Sequence, residues 1–79
     1  MDKKEFESFI EIKIRDIIAL TIDRVHLSFE EALQYTYESK LYEGLIDEST
    51  KLWHLSPEKL FEMLNNEKRT NELIFPDYV

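Results

Sequence analysis

The side chains able to do chemistry are few, and they are poorly spaced for it. His26 and His54 are the only imidazoles in 79 residues, and there is no cysteine. A zinc site would have to be completed by carboxylates, and no His-x-x-x-His or Glu-x-x-His pair stands ready on a helix. Asp47 and Glu48 are adjacent acids, but a carboxyl pair that cleaves glycosides needs an apolar cleft to raise one pKa, and a chain this short has little room for a sugar groove. They read as solvated turn acids. Ser8, Ser28, Ser39, Ser49 and Ser56 lie in no nucleophile elbow, and a single glycine leaves no glycine-rich phosphate loop. The inventory predicts no catalytic residue, no metal ligand and no cofactor.

Charge narrows the partners. The net charge is −7, and an acidic surface repels phosphate backbones and gains nothing from counterion release, so direct nucleic-acid binding is disfavoured. Four tyrosines invite a base-stacking reading, but Tyr35, Tyr37 and Tyr42 sit among Glu30, Glu31, Glu38 and Glu43 and lack the basic groove that stacking platforms need. Mimicry of DNA would want continuous acidic rows, whereas here acids alternate with bases. A basic protein partner is the one an acidic surface steers inward, and the same charge also serves solubility.

The elements that must position any functional surface are helical. Hydrophobic residues at 43% and charged residues at 34% describe one folded domain with a thin core. No run of about 18 apolar residues and no apolar leader core is present, which predicts a cytoplasmic chain with no membrane segment. From Asp2 to about Val25, Phe6, Ile10, Ile14, Ile17, Ile18, Ile22 and Val25 recur at three- and four-residue steps, predicting one long helix with a core stripe. Phe9, Ile12, Ala19 and Leu20 lie off that stripe, so the helix is apolar around much of its circumference and reads as central.

Ser28 with Glu31 three residues on forms a capping box, with Leu27 poised as a staple. The helix it starts is expected to end near Ser39, and a short stretch from Lys40 to Ile46 follows, with Gly44 as its weak point. Asp47 to His54 reads as a loop pinned by Trp53. Ser56-Pro57-Glu58 opens the last helix, with Leu60, Phe61, Met63 and Leu64 on its inner face and Asn65 or Asn66 with Lys68-Arg69 at its end. The prediction is an all-α, compact bundle of three to four helices with a long central first helix, a domain over 1–70 and an apolar tail over 71–79.

The stretch from Leu27 to Glu43, LSFEEALQYTYESKLYE, continuing through Leu52-Trp-His-Leu-Ser-Pro-Glu-Lys-Leu60, resembles small uncharacterised helical proteins of bacteria, some of them encoded beside toxin-like genes. That resemblance implies a helical fold and a bacterial, cytoplasmic origin, and brings no catalytic residues with it. The expected function is a non-enzymatic protein–protein interaction module, an antitoxin-like or regulatory partner of another, toxin-like protein. Its expected contacts are Phe9, Ile12 and Leu20 on the first helix and Phe75 and Tyr78 in the tail. Two alternatives stay open: a small ligand-binding domain or enzyme with a pocket near Trp53 and His54, and a homodimer joined along the second apolar side of the first helix.

Overall fold

The computed structural model of the chain describes residues 2–75. Among these, the elements are α1 (Lys3–Val25), α2 (Phe29–Tyr37), α3 (Lys40–Leu45), two single 3₁₀ turns (Glu48–Thr50 and Leu52–His54) and α4 (Pro57–Thr70). The all-α bundle with a long first helix is what the periodicity predicts. α1 starts where the Asp2 carboxylate accepts the Glu5 amide at 2.9 Å. Its residues rise about 35 Å at the helical repeat, which matches the molecule's longest dimension of 35 Å. α1 is therefore the spine, and α2 and α4 both lie along it.

The buried face of α1 is Phe6, Ile10, Ile14, Ile17, Ile18 and Thr21. Ile22 and Val25, expected in that stripe, are only half-buried. Thr21 takes the inner position because its hydroxyl donates to the Ile17 carbonyl at 2.9 Å and so enters the core already paired. α2 packs on α1 and buries two small side chains, Ala32 and Thr36. Both halves of the capping box are formed: Ser28 Oγ accepts the Glu31 amide at 3.1 Å, and Glu31 Oε1 accepts the Ser28 amide at 2.9 Å.

α3 is too short to hold itself together in water. Its free amides are taken by side chains: Ser39 Oγ accepts from Tyr42 at 3.0 Å, while the buried Glu67 carboxylate of α4 accepts from Lys40 at 2.7 Å and from Leu41 at 2.9 Å. Gly44 lies inside α3, and a Cβ placed there would come within 2.8 Å of Leu52 Cδ1. The glycine is thus a close-approach site for the fully buried Leu52, a packing role beyond the weak point its low helix propensity predicts.

The segment expected as a loop is the pair of 3₁₀ turns, joined at Lys51 in the left-handed region (φ 61°). Trp53 does pin it, donating Nε1–H to the Glu48 carbonyl at 2.9 Å, but Leu52 and Leu55 go deeper into the core. α4 opens as predicted, with Ser56 Oγ accepting the Lys59 amide at 3.1 Å, and buries Leu60, Phe61, Met63, Leu64 and Glu67. It runs on past both candidate asparagines and stops at Asn71 (φ 63°). Asn65 instead accepts the Tyr35 hydroxyl at 2.6 Å, and Asn66 accepts from Arg69 at 2.7 Å. After Asn71 the chain turns back on the body: Leu73 packs against the core, and Phe75 Cζ lies 4.0 Å from a Cβ position on Gly44.

Candidate partner-binding surface

The residues singled out from sequence do not gather on one surface. Phe9 is 37% exposed, standing edge-on to Trp53 with ring centroids 6.1 Å apart, with the Lys13 ammonium 5.2 Å above its ring. Ile12 is 51% exposed and shares a shallow hollow with Phe9. Leu20 is half-buried and borders a different hollow, beside Pro57 and Glu58 of α4. Phe75 lies against α3, and Tyr78 lies outside the described residues.

A more continuous apolar surface lies on the opposite flank of α1. Two adjoining hollows, of about 630 and 470 Å3, share Glu11, Ile14 and Tyr37 and together follow α1 from Lys3 to Ile22. The floor is made by the outer edges of Phe6, Ile10, Ile14 and Ile18; Phe29, Leu33 and Tyr37 of α2 form one wall, and Tyr42 of α3 with Ile46 just beyond it forms another. Phe29 is 63%, Ile46 47% and Tyr37 45% exposed. Tyr37 and Tyr42 meet edge-on with centroids 4.8 Å apart, joining the two walls.

Local sequence explains why this trough stays open. Phe29, Leu33 and Tyr37 recur every four residues and so share a face, beside the narrower buried stripe of Ala32 and Thr36. The small residues are buried, while Phe29 and Tyr37 stay exposed and Leu33 packs half-buried at the core's edge. That four-residue recurrence is present in the sequence, directly after the capping box of Ser28 and Glu31.

Charges on the rim are unequal. Toward the start of α1 the trough is bordered by Glu7 and Glu48 against Lys3, Glu11 borders both hollows, and Arg15 stands one turn further along. All five are exposed, and among the described residues the ion pair is a different one, Arg24 with Glu58 at 3.3 Å. Elsewhere, burial holds the Lys13 ammonium below its ordinary pKa, with Asp16 opposing, and Lys13 Nζ donates to the Leu55 carbonyl at 2.7 Å. Burial likewise raises Tyr35, with the Glu67 carboxylate adding to it.

His54 stacks on Trp53 with centroids 4.0 Å apart, and Trp53 also stands edge-on to Phe6 at 6.0 Å. These rings satisfy one another, and the four hollows described here are lined by other residues. Among the described residues, no group of three or more histidines and carboxylates is placed to hold a metal ion, and no helix is long and apolar enough to cross a membrane. The chain matches no protein-family model, no curated protein and no solved structure.

Proposed function

We propose that the chain is a non-enzymatic protein–protein interaction module whose working surface is the trough between α1, α2 and the end of α3. One observation carries this reading: Phe29, Tyr37 and Ile46, three of the large apolar side chains left most open to water, line two adjoining hollows that meet at Tyr37. A small domain gains stability from every apolar group it can bury, so large side chains gathered at one exposed place have a use other than the core. The narrower antitoxin-like reading, in which the module occludes a toxin-like partner, rests on the sequence resemblance.

The test uses the full chain as bait in extract of its host, alongside two variants of it, Phe29→Ala/Ile46→Ala and Phe9→Ala/Ile12→Ala. A stoichiometric partner lost with the first pair and kept with the second supports the trough. Loss with the second pair alone moves the surface to the Phe9 and Ile12 side. A chain that captures nothing, and that light scattering shows to be a folded monomer, removes the interaction reading.

A further inference from the structure

The shape and charge of the trough also bear on what fills it, an inference that rests on the interaction reading above. We propose that the occupant is a basic amphipathic helix of a partner protein, lying along α1 with its most basic turns over Glu7, Glu11 and Glu48. Three features support a helix with that polarity.

The first is length: Lys3 to Ile22 of α1 borders the trough, a rise of about 28 Å or roughly five helical turns. The second is backbone pairing. An extended peptide docks by adding to a sheet edge, and among the described residues there is no strand to receive one. Its amides and carbonyls would then be desolvated without partners. A helix satisfies its own backbone and presents apolar side chains at three- and four-residue spacing to a groove.

The third is electrostatic. Three exposed carboxylates, none in an ion pair among the described residues, face one lysine at one end, on a chain of net charge −7. Glu11 borders both hollows while Glu7 and Glu48 border only the first and Arg15 only the second, so the negative charge is weighted toward the start of α1. A second copy is the weaker occupant, because a two-fold interface needs a self-complementary patch, and two troughs meet hollow to hollow while doubling the negative charge.

The probe is a labelled five-turn peptide with leucines at i, i+4, i+7 and i+11 and lysine flanks, compared with the same peptide carrying glutamate flanks. Titrated with the full chain at low salt, the lysine peptide is expected to bind saturably and roughly tenfold or more tighter than its acidic counterpart, with the difference shrinking as salt rises. Glu7→Lys/Glu11→Lys is expected to weaken it about tenfold, while Arg15→Gln leaves or tightens it. Circular dichroism of each variant confirms the fold, since all three side chains are exposed.

Equal affinity for both peptides, indifference to the charge reversals, or amide shifts centred on Phe9 and Ile12 overturns the inference. So does a dimer of the unmodified chain that Phe29→Ala dissociates, which assigns the trough to a second copy. A captured partner that needs Phe29 and Ile46 but contacts them without a basic helix overturns this inference and leaves the interaction reading standing. Failure of both the peptide and the capture removes both.

Discussion

Glu67 reaches across from α4 to accept the amide of Leu41 at 2.9 Å, a bond between residues 26 positions apart in the chain. Its other carboxylate oxygen takes the Lys40 amide at 2.7 Å, so one buried acid supplies the partners for two of the free donors at the start of α3. Lys68 of the same helix donates to the Glu38 carbonyl at 2.7 Å. The end of α4 thus clamps the break between α2 and α3, and with it the angle between the two walls of the trough.

Removing that clamp is expected to be costly. Glu67→Ala leaves the buried Leu41 amide and the partly buried Lys40 amide unpaired, which corresponds to about 2–4 kcal/mol, read as a lower urea midpoint. Glu67→Gln keeps one acceptor oxygen and is expected to cost roughly half as much. Hydrogen exchange at Leu41 should quicken in both variants. An unchanged Leu41 rate in Glu67→Ala would show that α3 is held by something else.

Gly44 and Leu52 form a coupled pair. Glycine inside a helix costs about 1 kcal/mol relative to alanine, so an unhindered Gly44→Ala would stabilise α3. With Leu52 Cδ1 only 2.8 Å from the new methyl position and Leu52 fully buried, the gain is expected to be cancelled or reversed by overpacking. In a Leu52→Ala background the same Gly44→Ala change should stabilise by about 1 kcal/mol. Equal effects in the two backgrounds would sink the packing explanation.

What the sequence made legible was local. Ser28 with Glu31, and Ser56 with Pro57, mark helix starts because the hydrogen bonds they make span three residues, a distance that pattern reading resolves. α1 was legible from its isoleucine period. Nothing local distinguishes Glu67 from the other acids of a charged helix, since the donors it satisfies are set by how α4 crosses α3. Asn71, not Asn65 or Asn66, ends α4, and Asn65 is engaged by Tyr35, another contact between helices. For the surface, exposed apolar residues on α1 were foreseeable one at a time, as with Phe9 and Ile12. The trough required knowing that Ala32 and Thr36 are the buried residues of α2 and that Phe29, Leu33 and Tyr37 line a hollow at its edge.

The capping box gives the fold a defined response to acid. The Ser28 amide and hydroxyl hold the Glu31 carboxyl below its ordinary value of 4.5. A carboxyl with a depressed folded value stabilises the fold above its unfolded value and loses that contribution as pH falls through the folded one. Glu31→Gln is therefore expected to be less stable than the natural chain at pH 7, with the two stability curves converging as pH drops below about 4.5. Urea midpoints measured from pH 7 to pH 3 check this, and parallel curves would refute it. Asp47, lowered by the hydroxyl and amide of Ser49, should behave the same way in Asp47→Asn.

The exposed and buried apolar residues of the α1 flank should separate cleanly in stability measurements. Ile17 is fully buried and Ile14 is 7% exposed, so Ile17→Ala is expected to cost about 2–5 kcal/mol through lost burial and the cavity left behind. Phe29 and Ile46 remain 63% and 47% exposed, and Phe29→Ala and Ile46→Ala are expected to stay within roughly 0.5–1 kcal/mol of the natural chain. Such near-neutrality would make any loss of partner binding in these variants a property of the surface itself. A large destabilisation from Phe29→Ala would instead place that ring among the structural side chains, and the wall of the trough would lose its claim to be a binding surface.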